Sequence, residues 1–95
     1  MRIKLFGKNE CGKCQSTKNK IQFLITKLEA EDKIDFCYHD VDTVDGMAER
    51  AYHDVSQIPT TILEKEDKVI QRWEGEVPHS QTLKEHLTKQ VAGSK

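Results

Sequence analysis

The sequence predicts one α/β domain in which a four-stranded mixed sheet is flanked by helices, with the element order β-α-β-α-β-β-α. Three observations predict it: polar and apolar residues alternate in short segments, apolar residues recur every three or four positions in longer ones, and a helical segment separates the first two strand segments. Because 95 residues fill one hydrophobic core, the domain is expected over residues 1–92 and a loose C-terminal tail over 93–95.

The first half of the chain predicts two parallel strands joined by a helix. Residues 2–6 alternate polar and apolar side chains and form the first strand. A helix is predicted from Cys11 to about Glu29, because its inward residues fall on one stripe. The residues of that stripe are Cys14, Thr17, Ile21, Leu24, Ile25 and Leu28. Residues 34–41 are rich in aromatic and apolar side chains and form the second strand, which the helical crossover makes parallel to the first.

The second half of the chain predicts a shorter helix, a hairpin and a last helix. The shorter helix starts at about Asp45 and must end before Pro59, because proline disfavours helical geometry in the preceding residue. Its apolar residues, expected to point inward, are Met47, Ala48, Ala51, Tyr52 and Val55. Strands over residues 60–64 and 69–73 are close enough in sequence to form only an antiparallel hairpin. The last helix, with Ser80 as its predicted N-cap, has its apolar positions at Leu83, Leu87 and Val91.

The composition excludes several classes of function. Lys and Arg total 15 while Asp and Glu total 16, and this near balance does not fit a basic nucleic-acid-binding protein. No apolar run approaches the roughly 20 residues that a membrane-spanning helix needs, and the opening apolar segment is too short for a signal-peptide core. We therefore expect a cytoplasmic monomer that binds neither nucleic acid nor membrane.

Two cysteines stand three positions apart where the first strand gives way to the first helix. Cys11 would lie at the helix N-terminus, where free backbone N–H groups and the helix dipole favour a thiolate and lower the pKa from its ordinary value of about 8.5. Lys8 and Lys13 add positive charge beside it. Cys14 falls one turn further along, on the inward stripe. These positions predict a thiol–disulfide site in which Cys11 attacks and Cys14 resolves.

A structural zinc site is the alternative interpretation of this cysteine pair. Zinc needs four ligands, and the only further candidates are Cys37 and His39 on the predicted second strand, a spacing unlike that of paired zinc knuckles. Cys37 is better explained as a small packing residue in a buried strand. The four histidines are spread over different elements without metal or hydrolase spacing, and we expect packing or surface roles for His39, His53, His79 and His86.

Three segments carry a resemblance to a known family. The segment 8–14 places a lysine three residues before the first cysteine, residues 58–60 read Ile-Pro-Thr, and residues 73–75 read Trp-Glu-Gly, which puts a glycine after the last strand. In these features the chain resembles the thioredoxin-fold oxidoreductases, and in particular their short glutaredoxin-like and thioredoxin-like members. The resemblance covers nearly the whole chain and implies a thioredoxin-like fold. In that family the proline of Ile-Pro-Thr follows a cis peptide bond.

The resemblance implies a small dithiol thiol–disulfide oxidoreductase or electron carrier that reduces disulfides in protein substrates through Cys11 and Cys14. It also implies a set of substrate-binding residues, namely Lys8, Gly12, Lys13, Ile58, Pro59, Thr60 and Gly75. A cis proline would leave the N–H and C=O of Ile58 free for an extended substrate. No bound cofactor is required, and electrons would come from a thioredoxin-reductase-type partner or from glutathione.

The sequence also departs from its relatives in ways that bear on partners. No tryptophan precedes Cys11, no proline lies inside the C-x-x-C, and the paired glycines that glutaredoxins place before the last helix are missing. Glu76 after Gly75 instead puts negative charge where a glutathione carboxylate would bind, which favours the reductase-type donor. Two other classes remain open: an iron–sulfur carrier using the same cysteines across a dimer, and an interaction domain without catalytic function.

Overall fold

The computed structural model describes residues 1–93 and contains four strands and three helices in the predicted order. In chain order they are β1 (Arg2–Gly7), α1 (Gly12–Lys27), β2 (Asp35–Asp40), α2 (Val44–Tyr52), β3 (Thr60–Lys65), β4 (Lys68–Glu74) and α3 (Ser80–Gly93). No helix in this part of the chain is long and apolar enough to cross a membrane.

The strands form one mixed sheet in the order β2-β1-β3-β4. Strand β1 runs parallel to β2 and antiparallel to β3, while β3 and β4 form the predicted antiparallel hairpin. Because β1 is paired on both sides, its residue Leu5 lies opposite Tyr38 of β2 and opposite Thr61 of β3. The parallel pairing of the first two strands, inferred from the helical crossover, is confirmed.

The hydrophobic core lies on both faces of the sheet, because successive residues of a strand point to opposite sides. The larger cluster joins the sheet to α1 and α3, and its buried members are Ile3, Leu5, Ile21, Leu24, Ile25, Ala30, Ile34, Leu63, Trp73, Leu83 and Leu87. The smaller cluster on the α2 side consists of Phe6, Val41, Val55 and Ile62. The inward stripe predicted for α1 is confirmed, since Cys14 and Thr17 are also buried and Leu28 is half-buried.

The inward face predicted for α2 is wrong. Met47 is 51% exposed and Tyr52 is 82% exposed, and both predicted alanines are exposed as well. Gly46 is the buried residue of this helix, because it lies against the backbone carbonyl of Asp40, where a side chain would overlap. This close approach in the first turn sets the rotation of the helix. Val55 is buried as predicted, but it lies beyond the helix end.

The start of α3 also differs from the prediction. The helix begins at Ser80 itself, and the N–H of Leu83 donates to the His79 carbonyl at 2.9 Å, so Ser80 is the first helical residue rather than the cap. At the other end α3 includes Gly93, the first residue of the predicted tail, and residues 94–95 lie outside the described part of the chain. The side chain of Val91 is also outside what the structure describes.

Candidate active site

The two cysteines of the C-x-x-C form the centre of the site. Cys11 is the N-cap of α1, with extended backbone angles of φ -104° and ψ 110°, and its Sγ accepts a hydrogen bond from the backbone N–H of Cys14 at 3.2 Å. The two Cα atoms are 5.2 Å apart, and the sulfur atoms are paired as a disulfide. A helix N-terminus leaves its first N–H groups without partners in the helix, so this sulfur takes the place of a usual capping oxygen.

The two sulfurs differ in their surroundings. Cys11 is partly exposed, whereas Cys14 is completely buried among the residues of the α1 stripe. The first turn of α1 has no acidic residue, and the flanking Lys8 and Lys13 side chains are exposed. The helix dipole and one direct hydrogen bond from a backbone N–H therefore favour negative charge on the Cys11 sulfur. A partner molecule can reach the Cys11 sulfur, whereas the Cys14 sulfur is buried.

The second part of the site is the segment that leads into β3. The Ile58–Pro59 peptide bond is cis, as the resemblance implied. Thr60 pairs with Phe6 in the sheet, so Pro59 lies beside the end of β1. The same end of β1 leads into residues 9–12, which we call the cysteine loop. Within residues 1–93, no hydrogen bond engages the N–H or C=O of Ile58. The sheet therefore places the unbonded N–H and C=O of Ile58 at the same end as the partly exposed Cys11.

Gly75 completes this end of the sheet. Its φ of +71° lies in the left-handed region, and a side chain here would overlap the amide of Gln57. Its N–H donates to the Pro59 carbonyl at 2.8 Å, and the hydroxyl of Thr60 donates to the Gln57 carbonyl at 2.6 Å. Pro59 and Thr60 are both buried, so Thr60 supports the loop with its side chain rather than presenting it to a ligand.

The structure thus places the sequence-predicted residues in two groups at the same end of the sheet. One group lies at the cysteine loop, and the other lies at the proline loop, which consists of residues 57–60 and is hydrogen-bonded to Gly75. Gly12 in the cysteine loop faces open space, since a side-chain carbon added to it would meet no atom within 4 Å. Lys8 and Lys13 flank the loop with exposed side chains. The other two residues with candidate chemistry, Cys37 and His39, lie on a different part of the molecule.

Cys37 does not join the cysteine pair. It is a free, half-buried thiol in β2 opposite Lys4, whereas the neighbouring Tyr38 lies opposite Leu5 on the side where α1 packs. Since adjacent strand residues point to opposite faces, the sheet separates Cys37 from Cys14. Among the described residues, no group of three or more histidine, cysteine or acidic side chains is arranged to hold a metal ion.

Two residues near Cys14 did not stand out in the sequence. A side-chain carbon on Gly7 would lie 2.9 Å from Cys14 Sγ and 3.0 Å from the Tyr38 hydroxyl, so this glycine lets both approach the end of β1. Burial raises the pKa of Tyr38, with a smaller contribution from Asp40. The sequence offers little indication that Gly7 and Tyr38 lie together, because they meet only through the parallel register of β1 and β2.

A charged cluster occupies the opposite face of the sheet beneath α2. Lys4 Nζ lies 2.9 Å from His53 Nε2 and 3.5 Å from a carboxylate oxygen of Glu64. Burial lowers the pKa of His53 and of His39, and the neighbouring Lys4 acts in the same direction. A neutral His53 can accept a hydrogen bond from the Lys4 ammonium group. The packing roles expected for these histidines fit this arrangement.

The chain is similar to known thioredoxins over nearly its whole length. A thioredoxin-domain family model matches residues 1–88, and no curated protein matches. Thioredoxin 1 of Thermosipho africanus superposes with a TM-score of 0.77 at 22% identity and covers 100% of both chains. A malaria parasite thioredoxin-2 gives a TM-score of 0.78 at 19% identity over 93% of this chain and 81% of its own. Arabidopsis thaliana thioredoxin O2 gives 0.76 at 19% identity over 93% and 72%.

The chain belongs to the thioredoxin-domain family, because the family match spans nearly all of it. The resemblance to thioredoxin-fold oxidoreductases and the predicted thioredoxin-like fold are confirmed. A cysteine pair at disulfide distance in this fold supports a thiol–disulfide redox function.

Proposed function

We propose that this protein is a small dithiol oxidoreductase, or electron carrier, that reduces disulfides in protein substrates. The observation that carries the proposal is the asymmetry of the pair: Cys11 caps α1 and is partly exposed, while Cys14 is buried behind it. An exposed thiolate at a helix N-terminus suits a nucleophile, and a shielded neighbour within reach suits a resolving thiol.

The proposed cycle has two exchange steps. The Cys11 thiolate attacks one sulfur of the substrate disulfide, a mixed disulfide forms, and the other substrate sulfur leaves with the electron pair. Cys14, as a thiolate, then attacks Cys11, which releases the second substrate sulfur and leaves the Cys11–Cys14 disulfide. The Cys14 N–H bond to Cys11 Sγ favours the charged form of Cys11 at the start of the cycle.

The substrate surface in this proposal is the free backbone of Ile58. An extended substrate segment could pair with its N–H and C=O in the manner of an added strand, which would bring the substrate disulfide alongside Cys11. Gly12 leaves open space at the cysteine loop, and the exposed Lys8 and Lys13 favour substrates with acidic residues near the disulfide.

We further propose that a thioredoxin-reductase-type partner, rather than glutathione, regenerates the dithiol. The N–H of Gly75 is engaged by the Pro59 carbonyl, so it is not free to hold a glutathione carboxylate. Glu76 is exposed beside it, and α3 begins only at Ser80. The proposal includes a cytoplasmic, monomeric protein without a bound cofactor.

The test is to supply the oxidised protein with NADPH and a thioredoxin reductase, or with glutathione, and to follow reduction of a protein disulfide. Cys11→Ser should abolish turnover, whereas Cys14→Ser should form a mixed disulfide with substrate and stall. Equal trapping by both variants would contradict the assignment of roles. An absorbing, coloured protein after anaerobic purification would instead favour the iron–sulfur alternative.

A further inference from the structure

The hydroxyl of Tyr38 is a buried polar group that the proposed cycle does not yet use. It is shielded from solvent and has no hydrogen-bond partner within residues 1–93. Burying a polar group without a partner costs stability, so such a group calls for an explanation. Strand β2 places Tyr38 opposite Leu5, on the sheet face where α1 packs and where Cys14 is buried.

Gly7 brings this hydroxyl and the resolving sulfur to the same small space. The position of a side-chain carbon on Gly7 lies 2.9 Å from Cys14 Sγ and 3.0 Å from the Tyr38 oxygen. In the disulfide state no hydrogen bond joins these two groups within residues 1–93. A disulfide sulfur is a weak acceptor, but a reduced Cys14 carries a full negative charge as a thiolate and then becomes a strong one.

We propose that the Tyr38 hydroxyl donates a hydrogen bond to the Cys14 thiolate and so stabilises the resolving nucleophile. The inference rests on the proposed function, in which Cys14 resolves the mixed disulfide. Tyr38 acts here as a positioning residue. It favours the reactive charge state of Cys14 in an apolar site that otherwise disfavours charge, since burial in apolar surroundings raises a thiol's pKa.

Protons and electrons balance without a further reactant. The Cys14 thiol gives its proton to solvent, and the thiolate forms a bond to Cys11 Sγ as the Cys11–substrate bond breaks. The substrate sulfur leaves with the electron pair. Tyr38 keeps its proton throughout, because burial and the nearby Asp40 of β2 raise its pKa. Lys18 of α1 also faces this ring, with its Nζ 5.2 Å from the ring centre.

The first experiment measures the Cys14 pKa directly. In a Cys11→Ser, Cys37→Ala background Cys14 is the sole cysteine, and its titration can be followed by NMR of a labelled Cβ carbon. Adding Tyr38→Phe should raise the Cys14 pKa by about one unit, which is a tenfold loss of thiolate at neutral pH. Tyr52→Phe removes the same atom from a ring that is 82% exposed on α2, and it should leave the pKa unchanged. Equal pKa values in the two variants would overturn the inference.

The second experiment follows the cycle with a chromogenic aromatic disulfide. The reduced protein should release one coloured thiol as Cys11 attacks and a second as Cys14 resolves. Tyr38→Phe should leave the first phase unchanged and slow the second about threefold, because higher intrinsic nucleophilicity offsets part of the lost thiolate. Failure of the wild-type protein to release a second thiol would contradict the proposed function. Two normal phases in Tyr38→Phe would contradict only the role of Tyr38.

Gly7→Ala provides an independent variant for the same inference. Its methyl group would lie 2.9 Å from the sulfur and 3.0 Å from the hydroxyl and would displace one or both of them, so it should also raise the Cys14 pKa in the single-cysteine background. An unchanged pKa in Gly7→Ala, together with an unchanged value in Tyr38→Phe, would show that the two groups do not interact.

Discussion

Gly7 allows the packing of the redox site to be tested quantitatively. An added methyl group would lie 2.8 Å from Cys14 Cβ, 2.9 Å from Cys14 Sγ and 3.0 Å from the Tyr38 hydroxyl. Non-bonded carbon atoms prefer separations of about 3.5–4.0 Å, so the contact with Cβ is short by more than about half an ångström. Cys14 is held by helix α1 and by its disulfide and cannot easily retreat. We therefore expect Gly7→Ala to lower the free energy of unfolding by about 1–3 kcal/mol, the usual cost of overpacking.

Thermal or urea unfolding measures this loss, and Gly12→Ala is the matched control. Each kcal/mol should lower the melting temperature by about 4–8 °C in a domain of this size. Both variants remove a glycine and so restrict the unfolded chain equally. A side chain at Gly12 meets no atom within 4 Å, and alanine is the better helix former by up to about 1 kcal/mol. Gly12→Ala should therefore be as stable as the wild type or more stable.

The redox state gives a second check on the same reasoning. Reduction frees the Cys14 sulfur from Cys11 and lets it move, so Gly7→Ala should cost less stability in the dithiol form than in the disulfide form. If Gly7→Ala matches Gly12→Ala in the oxidised protein, the packing argument is refuted.

Three further predictions concern residues outside this contact. Cys37→Ala should leave turnover unchanged and cost at most about 1 kcal/mol of stability, as seen by urea unfolding, because this thiol is half-buried on the opposite sheet face. Glu76→Gly should speed reduction by glutathione, by less than about tenfold because its exposed charge is screened by water; no gain would remove Glu76 as the cause of weak glutathione use. Burial lowers the pKa of His39 and His53 below the ordinary 6.5, so unfolding takes up protons between the folded and unfolded pKa values. Stability should thus fall as pH drops through and below about 6.5, and a pH series of melts should show a shallower fall for His53→Gln.

Much of the fold follows from local patterns in the sequence. The α1 stripe and the cysteine spacing depend on residues within a few turns of one another, and Cys14 and Ile21 are buried where periodicity places them. The rotation of α2 is different, because it is decided by contact between Gly46 and the Asp40 backbone. Apolar spacing alone therefore assigned Tyr52 to the wrong side.

The residues that contact Cys14 were harder to predict, because they too depend on contacts between distant segments of the chain. That Cys11 lies at a helix N-terminus can be inferred from the sequence around it. The meeting of Gly7, Cys14 and Tyr38 requires the register that places Leu5 opposite Tyr38, together with the packing of α1 on that face. A one-residue shift of that register would turn Tyr38 to the other side of the sheet. Such contacts between distant segments leave no periodic mark in the sequence.

Strand β1 separates two kinds of chemistry in this protein. Leu5 and Gly7 face α1 and the buried Cys14, while Lys4 faces α2 and forms the charged cluster with His53 and Glu64. Protonation of the histidine should therefore change stability without changing the charge state of the resolving cysteine. The measurement is the Cys14 pKa in His53→Gln, in the single-cysteine background. An unchanged value supports the separation, and a shift as large as that expected for Tyr38→Phe would show that the two faces communicate through β1.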